Sequence, residues 1–127
     1  MPQPVSDDRS DGLKMDLTVL FVDDESELLE LYEIHYGTEY EVLTARNGTE
    51  ALEQFGDHVD VAFIDRRMPG MSGDEIIQEI RDRGYQTPIG IISAVDPDVE
   101  PAVDPDVYLT KPINESEVHA TIDQHTA

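Results

Sequence analysis

Five residues carry the chemistry that this sequence could do together: Asp23, Asp24, Asp65, Ser93 and Lys111. They follow the runs 17–22, 59–64, 87–92 and 107–110. Such runs, rich in β-branched and aromatic residues and closed by turn formers, read as buried strands. In a parallel sheet the carboxyl ends of the strands share one edge, where open α/β folds place their ligands. Three carboxylates, a hydroxyl and an ammonium then converge. Two carboxylates 4 Å apart repel by roughly 4 kcal/mol at an effective dielectric of about 20. Gathering three of them calls for a cation, and hard carboxylate oxygens with room for water suit Mg²⁺.

Taken one at a time, these residues have plainer uses. Asp23 and Asp24 can cap a helix. Asp65 can open a turn, Ser93 can be a loop hydroxyl, and Lys111 a surface lysine before a proline. Their joint occurrence at four strand ends is what argues for a site.

The elements that must position them alternate along the chain. After the first strand, Leu28, Leu31, Tyr32 and His35 fall at helical spacing and predict a helix over about 26–36. A short strand at 41–45 follows. Asn47-Gly48-Thr49-Glu50 then turns the chain into a helix with Ala51, Leu52 and Phe55 on one face. Beyond Asp65, the stretch Arg66-Arg67-Met68-Pro69-Gly70 is a turn, and Ser72-Gly73-Asp74 opens a helix with Ile76, Ile77 and Ile80 inward. That helix stops near Arg83-Gly84. Asn114 with Glu117 three residues on predicts a capping box for a last helix over about 114–125. Between Ser93 and Tyr108, Pro97, Pro101 and Pro105 recur every four residues. A proline inside a helix costs about 3 kcal/mol, so at most a single helical turn is expected there. Strands alternating with helices predict a doubly wound α/β sheet.

Composition narrows the class. The 127 residues suffice for one domain with its own core. Residues 1–16, polar and rich in Pro and Asp, are expected to form a disordered acidic tail, and 17–127 the domain. Without Cys there is neither a disulfide framework nor a thiolate metal site. His35, His58, His119 and His125 show no metal-ligand spacing. No apolar run is long enough to span a bilayer, and the start lacks a signal-peptide pattern, so a soluble cytoplasmic protein without a membrane partner is expected. There are 29 acidic residues against 8 basic ones, a net charge of -21. This charge opposes direct binding to nucleic acid. It also opposes compaction at low ionic strength, which suits a halophilic cytoplasm and predicts a fold that depends on salt or divalent cations.

The sequence resembles response-regulator receiver domains, the phosphoacceptors of two-component signalling. The likeness rests on Phe21-Val22-Asp23-Asp24-Glu25, Asn47-Gly48 with Glu50-Ala51-Leu52, Asp65-x-x-Met68-Pro69-x-x-x-Gly73, Ser93-Ala94 and Tyr108-x-x-Lys111-Pro112. It covers about residues 17–125. Asp65-Arg66-Arg67-Met68-Pro69 and Ser93-Ala94-Val95-Asp96-Pro97 further resemble receivers of halophilic archaea.

The resemblance implies a flavodoxin-like five-stranded sheet of order 2-1-3-4-5, with the helix usual between the fourth and fifth strands short or missing. It implies that Asp65 accepts a phosphoryl group from a histidine kinase. Mg²⁺ would be held by Asp24 directly, Asp23 mainly through water, Asp65, and the backbone carbonyl of Arg67. Lys111 would pair with the phosphoryl group across a cis Lys111–Pro112 bond, and Ser93 would hydrogen-bond it. Tyr108 would then turn inward from an exposed rotamer, signalling to a downstream protein. Such a domain is a signalling phosphoacceptor that catalyses only its own phosphorylation and dephosphorylation, either alone or as part of a larger regulator.

Three other readings fit less well. A Mg²⁺-dependent aspartyl-phosphate phosphohydrolase of the haloacid dehalogenase kind would need Asp-x-Asp after the first strand, where adjacent Asp23-Asp24 stand. A binding-only pseudo-receiver would lack a key residue. A nucleotide-binding flavodoxin-like module would need a glycine-rich phosphate loop.

Overall fold

The computed structural model describes residues 17–94 and 105–126. Strands β1 (Thr18–Val22), β2 (Glu41–Ala45), β3 (Val61–Asp65), β4 (Ile89–Ser93) and β5 (Val107–Thr110) are all parallel, in the order β2-β1-β3-β4-β5. Between them lie α1 (Ser26–Tyr36), α2 (Gly48–Gln54) and α3 (Gly73–Asp82), and α4 (Glu115–Thr126) follows β5. The expected class, strand order and doubly wound architecture are therefore present. The expectation of at most one helical turn between β4 and β5 falls on 95–104, and that of a disordered tail on 1–16; both lie outside the described residues.

Period-two alternation sends the side chains of each strand to two layers. Leu20, Val22, Ala62, Ile64, Ile89 and Ile91 pack under α2 and α3 with Ile76, Ile77 and Ile80. Val19, Phe21, Val61, Phe63, Ile92 and Leu109 pack under α1 and α4. The second layer is aromatic: Phe21 stacks on Tyr32, Tyr36 and Phe63 with ring centroids 4.6, 5.4 and 5.4 Å away. Central strands buried on both faces read as continuous apolar runs.

Several boundaries and faces differ from the expectation. β3 begins at Val61, because the Val59 amide closes a turn on the Gly56 carbonyl. β4 begins at Ile89, after Pro88, which has no amide to give, and Thr87, whose carbonyl accepts from Arg81. In α1 the buried stripe is Leu29, Tyr32 and Tyr36, while Leu31 is 58% exposed and His35 pairs outward with Glu115. The expected capping box on α4 is replaced by an Asx turn, in which Asn114 Oδ1 accepts from the Ser116 amide at 2.7 Å. A reciprocal box forms on α3, between Ser72 and Glu75.

Candidate functional site

β1 and β3 are neighbours in the middle of the sheet, so their ends bring Asp23 and Asp65 together. Both are buried, at 1% and 5% exposure, while Asp24 is open to solvent. The chain leaves β1 in a turn held by Asp23 itself, whose Oδ1 accepts from the Glu25 amide at 2.9 Å. Its other oxygen, Oδ2, lies 2.9 Å from Lys111 Nζ, which is also 3.6 Å from Asp65 Oδ1. The Lys111–Pro112 peptide that delivers this ammonium is cis. β5 reaches the site beside β4, since the Lys111 amide donates to the Ser93 carbonyl at 2.9 Å. Ser93 is buried at the end of β4.

The electrostatics are unbalanced. Burial, and after it the charge of Asp23, pushes the Asp65 carboxyl up to about 6; Lys111 opposes this and Asp24 adds to it. Burial alone would lower Lys111, but its hydrogen bond with Asp23 and the charges of Asp65 and Asp23 raise it above an ordinary lysine. One ammonium cannot neutralise three carboxylates.

The donor set fits a divalent cation. Asp23, Asp24 and Asp65 each offer an oxygen, and these lie within 4.8 Å of one another. Asp23 Oδ2 is buried, and among the described residues Lys111 Nζ, 2.9 Å away, is the one donor that faces it. Hard oxygens on one open side, with Asp24 facing solvent, match a small cation that keeps part of its water.

The loop after Asp65 is held firmly. The Arg66 amide donates to the Ile92 carbonyl at 2.8 Å, and the Arg66 carbonyl accepts from Gly73, also at 2.8 Å. A Cβ on Gly73 would stand 2.4 Å from the Asp65 carbonyl oxygen. Only glycine lets α3 begin this close to the loop that follows Asp65.

Two placements differ from the sequence reading. Tyr108 was expected in an exposed rotamer; it is half-buried against the α2–α3 layer, with its hydroxyl accepting from Arg66 Nη1 at 3.5 Å. Arg66, which drew no attention as a turn residue, lies inward and pairs with Asp74 through Nε at 3.2 Å and Nη2 at 3.4 Å. Strand alternation could have found it: Ala62 and Ile64 face the α3 layer, and two residues further is Arg66. Arg67 is exposed.

A family model described as "Response regulator receiver domain" matches residues 19–123. A Haloferax volcanii protein named as a transcriptional regulator is 42% identical over 108 residues, covering 84% of this chain and 19% of its own length. A receiver domain protein of Clostridium thermocellum superposes with a TM-score of 0.79 at 28% identity, covering 87% of this chain and 94% of that one. The Thermotoga maritima response regulator TrrA, in complex with Mg²⁺ and BeF, gives 0.75 at 33%, covering 85% and 97%. The same regulator with histidine kinase ThkA gives 0.74 at 32%, covering 87% and 99%. The chain spans 47% of the length of several further curated relatives.

Proposed function

The chain belongs to the response regulator receiver domain family, the phosphoacceptor modules of two-component signalling, and from that premise we propose that Asp65 is the phosphoacceptor. The observation that carries this is the placement of Asp65: buried, at the carboxyl end of a central strand, 3.6 Å from an ammonium and within a cluster of three carboxylates. Its donor is the phosphohistidine of a histidine kinase, in line with the ThkA complex of TrrA. An oxygen of the ionised Asp65 carboxylate attacks phosphorus as the bond from phosphorus to the histidine nitrogen breaks. The nitrogen keeps that electron pair, and an aspartyl phosphate is left.

Asp23, Asp24, Asp65 and the carbonyl of Arg67 would hold Mg²⁺. When bound, the metal supplies positive charge against the carboxylates and the phosphoryl oxygens. Lys111, already poised between Asp23 and Asp65, exchanges part of its pairing for a phosphoryl oxygen, acting as a point charge. Ser93 donates its hydroxyl to another oxygen. A phosphoryl group brings nearly two negative charges and three acceptors, and drawing Ser93 toward them vacates space on the face it shares with Tyr108. Tyr108 completes its burial there. The readout is then a changed surface around β5 and α4 for a downstream protein, not turnover of a substrate. With a charge of -21, that partner is a protein and not a nucleic-acid backbone. Among the described residues no helix is long and apolar enough to cross a membrane.

The test is intact mass after incubation with a small acyl phosphate. One added phosphoryl group is expected with Mg²⁺, none after chelation, and none for Asp65→Asn. Modification of Asp65→Asn equal to wild type would overturn the assignment. Sustained hydrolysis of phosphate esters would favour a phosphohydrolase instead.

A further inference from the structure

Among the described residues, Arg66 is a largely buried cation that the phosphoryl chemistry does not use. Its side chain and that of Asp74 are only 11% and 13% exposed. Burying an ion pair is expensive, and it persists where geometry is good and the pair fixes a conformation. Here the guanidinium meets the Asp74 carboxylate through two nitrogens, while a third, Nη1, reaches the Tyr108 hydroxyl. Five donors in a rigid fork let one arginine do this; a lysine could not hold the same three atoms.

The three residues belong to three parts of the switch. Arg66 is covalently next to Asp65, and its backbone is fixed at both ends, to β4 through Ile92 and to α3 through Gly73. Asp74 is in the first turn of α3. Tyr108 is on β5, opposite Ile91. The contact between Gly73 and the Asp65 carbonyl leaves α3 no slack relative to the acceptor loop. The guanidinium is therefore a fixed post, anchored by Asp74, and Tyr108 is the only one of the three that stands on a different strand and turns about its own χ angles.

We propose that Arg66 is a positioning residue that latches Tyr108 in the resting conformation, so that its hydrogen bond sets how far the unmodified domain is poised away from the active state. This rests on the reading of Asp65 as acceptor and Tyr108 as the moving residue. Completing the burial of the Tyr108 ring breaks the contact from Arg66 to its hydroxyl, and any group that binds the active state must supply that difference. Removing the latch raises the active population before modification, and with it the apparent affinity for a phosphoryl mimic. A hydrogen bond of ordinary net strength corresponds to about fivefold, which is the upper bound for this long one of 3.5 Å.

The experiment is a cycle on the full chain: wild type, Arg66→Met, Tyr108→Phe and the double variant, each titrated with beryllofluoride at saturating Mg²⁺. A fluorotyrosine placed at position 108 reports its environment in the first two, and thermal melting is followed for all. Arg66→Met keeps the apolar stem and removes the donors. The expected result is binding about two- to fivefold tighter for Arg66→Met, fivefold being the upper bound, with the fluorotyrosine signal of the unliganded variant moved toward that of the liganded wild type. In the Tyr108→Phe background the same substitution should change affinity little, because the bond is already gone. A merely structural Arg66 would lower the melting temperature without that coupling. Affinity unchanged or weakened in Arg66→Met, or the same gain repeated in Tyr108→Phe, overturns the latch. Should Arg66→Met not fold, Asp74→Asn takes its place, since it removes only the charge that anchors the guanidinium. Failure of wild type to bind beryllofluoride with Mg²⁺ is a separate result: it overturns the reading of the site itself.

Discussion

The two ends of the sheet both carry aspartates, and they treat them differently. At the amino end, Asp60 Oδ2 accepts from the Thr18 amide at 2.7 Å and Asp106 Oδ2 from the Ile89 amide at 2.8 Å, with Arg81 3.4 Å from the latter. Each carboxylate joins two neighbouring strands by satisfying an amide beyond the ladder. At the carboxyl end, Asp23 and Asp65 are buried beside each other and beside Asp24, with the single ammonium of Lys111 between the first two. An acidic strand end is thus not in itself a site. The difference is whether donors meet the charge or the charge is left unbalanced, and that imbalance is what supports the proposed role of Asp65 toward a cation and a phosphoryl group.

The sharpest way to break this comparison is to neutralise one aspartate from each end. Asp65→Asn should abolish phosphoryl acceptance yet raise the melting temperature of the metal-free protein, since it removes a charge that burial and Asp23 oppose. Asp60→Ala or Asp106→Ala should do the reverse. Acceptance should survive, and stability should fall by about 1–3 kcal/mol for an amide left without its acceptor. Intact mass after incubation with an acyl phosphate, and denaturant titrations, separate the two. Loss of stability in Asp65→Asn would mean that its carboxylate is a structural bond like the others.

Acidity sharpens the comparison by a smaller amount. The Asp65 carboxyl sits at about 6 in the folded chain against 3.8 ordinarily. Below 3.8 both folded and unfolded states hold the proton and Asp65 costs nothing. As pH rises from there to about 6 the unfolded chain ionises first, so stability is lost, and above 6 the loss is complete, at up to about 3 kcal/mol. The other acidic groups titrate in the same window, so the informative quantity is the difference from Asp65→Asn. In metal-free buffer the advantage of the variant should be greatest near pH 7 and vanish near pH 4. A difference independent of pH would show that Asp65 is not held out of its ordinary range.

How much of this was legible in the sequence follows from the same physics. Strands buried on both faces show as apolar runs, and a polar residue that ends one is conspicuous, so Asp23, Asp24, Asp65, Ser93 and Lys111 stood out. Asp60 lies inside the run 59–64 and Asp106 at the end of the acidic stretch before β5, and nothing in the sequence marks either as bonded. Arg66 and Arg67 are adjacent identical residues in a turn, and only the continuation of the β3 alternation tells the inward one from the outward one. Tyr108 was placed by its spacing from Lys111, but its packing against the α2–α3 layer and its contact with Arg66 come from distant parts of the chain that no local pattern joins. α1 misled for another reason. Leu28, Leu29, Leu31, Tyr32, Ile34 and Tyr36 offer apolar residues around most of the helix, and the choice between overlapping stripes was made by the Phe21 ring against which Tyr32 and Tyr36 stack.

The smallest expected effect is at Arg67, two residues after the proposed acceptor, Asp65. Its side chain is exposed, so its charge acts through water. At about 7 Å in a dielectric near 80, a unit charge pair is worth roughly 0.6 kcal/mol, or about threefold in rate. A long cation at the rim can lean over the aspartyl phosphate and hinder the approach of water. Arg67→Ala, which leaves the backbone carbonyl in place, should therefore speed spontaneous loss of the phosphoryl group about threefold in dilute buffer. Salt separates the two ways this can arise. At molar ionic strength the screening length falls to about 3 Å, and an electrostatic effect disappears while a steric one persists. Dephosphorylation followed by intact mass at both salt concentrations reads the answer, and equal rates for variant and wild type in both would leave Arg67 only its carbonyl.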